Sequence, residues 1–445
     1  MISRVRNRFV KVGDKALIGS FLPDSILEVY DSRKKEVGII TGLSNRARIS
    51  FGVVENQVLI SSSLGQSSTI EVYDAEMNSI HTISNLQHSS REFASIGKKT
   101  LLINGNGSSI LEIYDSISRE VTTIPNLPSR SRHGSLVING QVLFGFSMDF
   151  KFDVYDTVTG EVTFLETMSR AFGDHSVLMG GTQAVFLQHH SDNNANDFFE
   201  IYDSISKTVT KIPASNATRL RNRALVLSTN LYMLTSNPHG RLEIYNGLTK
   251  ELTYVTIPWP VARTAITGLN NIFLLARSGN DTVLDLYDMN TGQWSMITGL
   301  MNTSYTFSPV INGQVLIVTT VGGINSSIIF VYDFNTGELT RISGLPQRIR
   351  SEYKIVNNQL IITTANDSDT ILEIYDSITK SVKVIQNMLP RNRSNLILFE
   401  DHILLSGHTD SRTSFTDSLD IYMMPALNIY YKSKESEALI LRLSK

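Results

Sequence analysis

The chain of 445 residues contains no cysteine. That absence removes disulfides, thiol nucleophiles, thiolate zinc sites and cysteine-derived radical cofactors together. It excludes a disulfide-stapled secreted scaffold without fixing the compartment. No stretch approaches the eighteen or so consecutive apolar residues that a membrane-spanning helix needs. Neither sign of charge is in excess: 40 Lys and Arg face 42 Asp and Glu, for a net charge of −2. No gross attraction to nucleic acid or to an anionic membrane is expected from that balance. The opening "MISRVRNRFVKVGDKALIGSF" places arginines where a signal peptide would carry its apolar core, and it lacks a small-residue cleavage site. A soluble, cytoplasmic protein is the expectation. Nucleophile elbows, phosphate-binding loops, zinc motifs and kinase signatures are also missing.

What is present is a period. "ILEIYDSI" stands at 110–117, returns as "FEIYDSI" at 199–205 and again as "ILEIYDSI" at 371–378. Its tyrosine recurs at Tyr30, Tyr73, Tyr114, Tyr155, Tyr202, Tyr245, Tyr287, Tyr332, Tyr375 and Tyr422. The steps run from 41 to 47 residues, so ten repeats fill the chain apart from a short tail.

The repeat at 129–168 divides into four short runs rich in Val, Ile, Leu, Phe and Tyr: "GSLVI", "QVLFGF", "FDVYD" and "EVTFLE". Asn139-Gly140 between the first two supplies the positive φ angles of a tight hairpin. "YDTVTGE" between the third and fourth offers an Asp to cap the turn and a Gly for its left-handed position. Runs such as "SLVI" and "VLIVTTV" are apolar on both faces, as a sheet sandwiched between two others requires. No helix-period segment intervenes, which excludes parallel βαβ folds. The prediction is an all-β protein, a β-propeller of ten four-stranded blades.

The pattern R-x-R, apolar-Asn-Gly-x-apolar, apolar-Glu-apolar-Tyr-Asp, Thr-Gly-Glu resembles the kelch repeat of kelch and galactose-oxidase-like propellers, over residues 1–434. It departs from that family in two respects. The double glycine closing the second strand is intact only at Gly322-Gly323, and the fourth-strand tryptophan only at Trp294. Galactose-oxidase chemistry needs a cysteine-tyrosine crosslink and is excluded, and no cofactor is expected.

Ten repeats allow one ten-bladed ring or two five-bladed rings. Insertions at 189–197 and 407–418, five repeats apart, favour duplication of a five-repeat ancestor. The junction "KIPASNATRLRNRALVL" (211–227) has no linker character, which favours one ring. The tenth repeat's fourth strand is read at "NIYYKS" (428–433), leaving 435–445 as a C-terminal tail whose alternation of Leu439, Leu441 and Leu443 with Arg442 and Ser444 is open to a further strand or a short helix.

Seventeen of 24 arginines fall in the loops joining one blade to the next. In a propeller these loops rim one face of the central channel. Repeats 9, 10, 1 and 2 carry the densest set, and the residues assigned to ligand binding are Arg4, Arg6, Arg46, Arg48, Arg348, Arg350, Arg391 and Arg393. Arginine's fork suits carboxylate or phosphate, which points to an acidic peptide, a phosphate group or an acidic sugar. The resemblance to kelch proteins implies the same face, where peptide ligands dock. The competing explanation is structural. Nine repeats place a carboxylate two residues before the tyrosine (Glu28, Glu71, Glu112, Asp153, Glu200, Glu243, Asp285, Glu373, Asp420), inside a strand apolar on both faces, where it wants a partner.

The expectation is therefore a non-catalytic scaffold that binds a protein partner through an acidic segment. The alternative is an enzyme acting on an acidic sugar, in the manner of kelch-like sugar epimerases. No catalytic residue and no metal ligand is assigned. His189 and His190, with Asp192 and Asp197, and His408, with Asp410 and Asp417, read as solvated loops, since adjacent histidines on an extended chain point apart. The arginine loops interleave few aromatics, so nucleic-acid stacking is not provided for, and no membrane partner is expected.

Overall fold

Each repeat folds locally into the same object in a computed structural model of the chain. The residues described are 6–20, 26–41, 43, 50–61, 69–87, 92–103, 108–129, 132–145, 152–165, 176–187, 198–213, 220–235, 241–259, 263–277, 282–300, 304–321, 324–348, 350, 352–363, 371–386, 395–399, 402–406, 419–423 and 440–443. They form ten four-stranded antiparallel sheets, each a meander of four consecutive strands. These are propeller blades, numbered here in chain order: Arg6–Ile40, Ser50–Ile83, Glu92–Ile124, His133–Leu165, Ser176–Pro213, Leu220–Thr256, Arg263–Ile297, Ser304–Ile342, Glu352–Ile385 and Asn395–Leu443. No helix occurs among the described residues, hence none long and apolar enough to cross a membrane.

Burial follows strand position. The second strand of blade 4, Gln141–Gly145, is buried at every residue, and the third, Phe152–Asp156, nearly so. The fourth strand of blade 1, Glu36–Ile40, has only half-buried and exposed residues, as an outer edge should. The sequence sets these differences, with Val-Leu-Phe runs in the middle strands and Thr, Ser and charge in the fourth. The hairpin turns take the geometry their residues favour. Asn139 and Gly140 adopt φ of 43° and 75°, and Asn312 and Gly313 adopt 48° and 79°.

The chain divides into two lobes, Met1–Ser131 with Ile361–Ile374 and Lys383–Lys445, and Arg132–Leu360 with Tyr375–Val382. Within each lobe consecutive blades pack face to face on interblade cores. In the second lobe Leu143 and Phe152 of blade 4 pack with Ala184, Phe186 and Tyr202 of blade 5. Met179 and Phe199 of blade 5 then pack with Leu231 and Tyr245 of blade 6. In the first lobe Gly52 lies so close to Phe93 of the next blade's first strand that any Cβ would collide with it.

Also in the first lobe, Ala16, Ile18 and Tyr30 of blade 1 form one core with Ile397, Phe399 and Leu404 of blade 10. The first and last repeats are neighbours within this lobe. One expectation is corrected. The fourth strand of blade 10 is Ile440–Leu443, paired with Leu419–Met423 from Leu419↔Leu443 to Tyr422↔Ile440. The segment assigned to that strand from sequence, 428–433, lies outside the described residues. The tail's alternation of Leu441 and Leu443 with Arg442 is thus strand periodicity, and the last blade draws on residues beyond 434.

Candidate functional site: the interblade arginines and the interblade clasp

Arg132 enters blade 4 from the preceding loop and donates from Nε to Asp153 Oδ2 at 2.6 Å, with both side chains 1% exposed. Asp153 is the carboxylate two residues before the repeat tyrosine. The arginine is therefore the partner which that buried acid needs, and the pair lies within one blade. Blade 7 reaches the same result from another position: Arg277 on its second strand donates to Asp285 Oδ1 at 2.6 Å. In blade 5 Lys211 lies 3.5 Å from Glu200, and in blade 3 the Gln87 amide donates to Glu112 at 2.8 Å.

Counting from the residue that opens each second strand gives the arginines a register. Arg132 stands nine residues before Gln141. Arg6, Arg48, Arg221, Arg263, Arg350 and Arg393 stand nine before Lys15, Gln57, Asn230, Ile272, Gln359 and His402. Arg4, Arg46, Arg130, Arg219, Arg348 and Arg391 stand eleven before the same openings. Blade 8 supplies a control. It alone lacks the carboxylate, carrying Phe330 there, and its residue nine before Gln314 is Tyr305. Tyr305 and Phe330 are 2% and 4% exposed and share one hydrophobic core. Where the acid is lost the arginine is lost with it, and an apolar pair fills the space. In blade 4 the nearer register thus serves the blade, whereas blades 3 and 5 carry Ser90 and Asp174 there and Asp285 of blade 7 pairs with Arg277 instead.

Of the residues assigned to ligand binding, Arg4, Arg46, Arg48, Arg391 and Arg393 lie outside the described residues. Arg6 begins the first strand of blade 1, where the ladder shifts register between Arg6 and Arg8. Arg348 and Arg350 are buried, at 7% and 2% exposure, and Arg350 donates to the Pro346 carbonyl at 2.8 Å. Both side chains are thus largely covered, unlike the exposed cations that an open basic arc requires. Blades 10, 1 and 2, the other members of that arc, pack consecutively in the first lobe. His189, His190 and His408 lie outside the described residues. Among the described residues no three His, Asp or Glu side chains converge in a metal-binding geometry.

The Tyr-Asp phrase builds a clasp between blades. Tyr114 donates to Gln57 Oε1 of the preceding blade at 2.7 Å, Tyr202 to Gln141 at 2.6 Å and Tyr375 to Gln314 at 2.5 Å. The same glutamines donate onward, Gln57 to the Ser116 carbonyl and Gln141 to the Ser204 carbonyl, each at 3.1 Å. Where the last blade meets the first, His402 occupies the glutamine position, and Tyr30 hydrogen-bonds its Nε2 at 2.7 Å across 372 residues of sequence. Phe399 stacks on the His402 ring at 5.0 Å. Burial pushes the Tyr114, Tyr202 and Tyr375 phenols up to about 12, with nearby Asp carboxylates adding to the effect.

The Asp of the phrase divides its two oxygens. Asp156 Oδ1 accepts from the Val158 and Thr159 amides at 2.9 and 3.2 Å, capping its own turn. Asp156 Oδ2 accepts from Lys207 of the next blade at 2.7 Å. Lys250 meets Asp203 at 3.0 Å and Arg119 meets Asp74 at 2.6 Å in the same way. These cations stand at the left-handed turn position that Gly160, Gly292 and Gly337 fill elsewhere, with φ of 55° at Lys207 and 63° at Lys250. The conformation costs about 1 kcal/mol for a non-glycine residue, and the bridge explains why a long cation is kept there. The Lys207 hydrogen bond holds the Asp156 carboxyl down at about 2. At Asp203 burial acts upward, but the Ser206 amide, Lys250 and Gln183 outweigh it and hold the carboxyl below its ordinary range.

A cleft of about 270 Å³ beside the fourth strand of blade 1 brings together Lys15, Asp31, Lys34, Glu36 and Asn78. Lys15 spends its ammonium on the Ala75 carbonyl at 2.7 Å and on Asn78 at 3.2 Å. The remaining charges are of mixed sign, and the cleft assembles no acid-base pair aimed at a common point.

No protein-family model matches the chain. No curated protein matches it either. Among solved structures it is similar to the computationally designed protein Ika8, with 12% identity, a TM-score of 0.40, and coverage of 85% of this chain and 96% of that one. Apo AztD from Citrobacter koseri gives 13% identity, a TM-score of 0.41 and coverage of 76% and 96%. The extracellular domain of BT4673 from B. thetaiotaomicron gives 12%, 0.38, and coverage of 90% and 68%. At these scores the blade assignment stands on the sheets themselves.

Proposed function

We propose that the protein is a non-catalytic, kelch-like propeller scaffold whose interblade face binds an acidic peptide segment of a protein partner. The observation that carries this reading is an excess of arginine over structural need. Blades 10, 1 and 2 each hold one carboxylate before the tyrosine (Asp420, Glu28, Glu71) but two register arginines. With Arg393, Arg6 and Arg48 in the register that Arg132 uses for Asp153, the surplus in these three blades is Arg391, Arg4 and Arg46, the position that Arg130, Arg219 and the buried Arg348 hold in blades 4, 6 and 9. Arg391, Arg4 and Arg46 belong to consecutive blades. Their forks suit carboxylates, and a strip of them suits a run of Asp or Glu.

The test is fluorescence anisotropy with a labelled poly-glutamate peptide, comparing wild type with R4E/R46E/R391E. Wild-type binding should weaken as salt rises. The triple variant should lose binding at an unchanged thermal midpoint. Salt-insensitive binding, or equal binding by both proteins, refutes the assignment. A variant that unfolds places these arginines in the structural class as well.

A further inference from the structure

The chain has no thiol, so every sulfur that an oxidant can reach belongs to methionine. Among the described side chains two methionines are exposed, Met77 at 54% and Met296 at 46%, whereas Met179 and Met233 are buried. Met296 stands on the fourth strand of blade 7, opposite Asp285 in the ladder. The corresponding acids of blades 1, 4 and 6 stand opposite Ile39, Phe164 and Tyr254. The position thus takes a large apolar residue without requiring sulfur.

What sets Met296 apart is the cation beside it. Arg277 Nη2 donates to Asp285 Oδ1 at 2.6 Å and to Met296 Sδ at 3.3 Å, one N–H for each acceptor. Arg277 Nε also donates to Asp285 Oδ1, at 3.0 Å. The guanidinium lies over the Trp259 ring at 5.2 Å, and Trp259 meets Trp294 edge-on at 6.1 Å. Both tryptophans of the chain therefore belong to this one cluster.

A thioether sulfur is a weak acceptor, whereas a sulfoxide presents a polar oxygen. An oxygen added to Met296 Sδ meets a donor already aimed at it, and the bond becomes charge-assisted. Asp285 keeps the Nε–H and its own Nη2–H, so the buried pair survives. We infer that Met296 is a modification site for hydroperoxides, where reversible sulfoxide formation re-aims Arg277 over the Trp259 ring. In the step, a sulfur lone pair attacks one peroxide oxygen and the O–O bond breaks. The attacked oxygen gives up its proton to the leaving oxygen, which departs as water or an alcohol. Sulfur loses two electrons and the peroxide gains them. Methionine sulfoxide reductases, one for each epimer, return the thioether.

The experiment treats the full chain with hydrogen peroxide. Peptide mass spectrometry follows sulfoxide at each methionine, and tryptophan emission is recorded on the same samples. In wild type, Met296 should oxidise ahead of Met179 and Met233. The emission should shift in step with Met296, not with Met77, and a mixture of both reductases should restore it. M77L should keep the shift. M296L, a volume-conserving change, should lose it, although Met289 still packs in the same core as both tryptophans. A further variant needs no oxidant: Met296→Gln offers an amide oxygen to the same donor and should show the shift from the start. Four outcomes overturn the inference: emission unchanged at full oxidation of Met296, an equal shift in M296L, wild-type emission in M296Q, or oxidation of Met296 no faster than of the buried methionines.

Discussion

Removing one member of the Arg132–Asp153 pair should do far more harm than removing both. Each side chain is 1% exposed, and the 2.6 Å hydrogen bond is the arginine's tie to the third strand. Breaking such a pair from one side leaves a buried charge uncompensated and costs about 3–5 kcal/mol. Arg132→Met alone and Asp153→Leu alone should each fall in that range. The double variant R132M/D153L keeps similar volume and removes both charges, so it should lie within about 1.5 kcal/mol of wild type or above it. Blade 8 is the natural precedent, with Tyr305 and Phe330 buried together in the pair's place. Urea unfolding followed by far-UV circular dichroism provides the double-mutant cycle, with slopes compared because repeat arrays need not unfold in one step. A coupling energy of at least about 3 kcal/mol is expected. Additive single costs, or a single cost under about 1 kcal/mol, would falsify the structural assignment and return the nearer arginine register to the binding surface.

Three further outcomes follow from the clasp. His402→Gln should be tolerated within about 0.5 kcal/mol, because glutamine accepts the same tyrosine hydrogen bond in blades 2, 4 and 8, whereas His402→Leu should cost about 1–3 kcal/mol by stranding the Tyr30 hydroxyl. Chemical denaturation of the two variants decides it, and equal loss in both would show that the ring's stacking, not its acceptor nitrogen, matters. In alkali, Tyr114, Tyr202 and Tyr375 keep their protons in the folded state up to about 12, above the ordinary tyrosine value of 10.0. The folded state therefore binds more protons between those values, and the stability these groups contribute, present below pH 10, is lost as pH rises toward 12. Phenolate absorbance should show a late, cooperative class of tyrosines that merges with the early class on unfolding. In acid, Asp156 titrates near 2 in the folded state against 3.8 ordinarily, so its contribution is present above 3.8 and lost as pH falls through 2. Lys207→Met should flatten that acid limb, and a thermal midpoint equally acid-sensitive in both proteins would remove the bridge as its cause.

Blade anatomy was legible in the sequence because each sheet is made from consecutive residues. The period of the tyrosine, Asn139-Gly140 in its hairpin, the capping role of Asp156 and the two-faced apolarity of Gln141–Gly145 are all properties of segments shorter than one repeat. The sequence also contained the register that separates Arg132 from Arg130, and the joint loss of arginine and carboxylate in blade 8, but a count by loop mixes the two arginine classes. Only a fixed strand opening resolves them. The last strand was misplaced for a related reason. Residues 428–433 and 440–443 are both apolar enough to pair, and the choice rests on which one the third strand meets.

What the chain alone determined, then, is the blade, since turns, alternation and strand length are set by neighbours in sequence. Tertiary structure decided which polar groups are spent inside the molecule. Arg350 looks like a surface cation until its burial is seen. The glutamine that receives Tyr202 lies 61 residues away and the histidine that receives Tyr30 lies 372 away. The desolvation that makes such bonds matter exists only once two blades have closed over them.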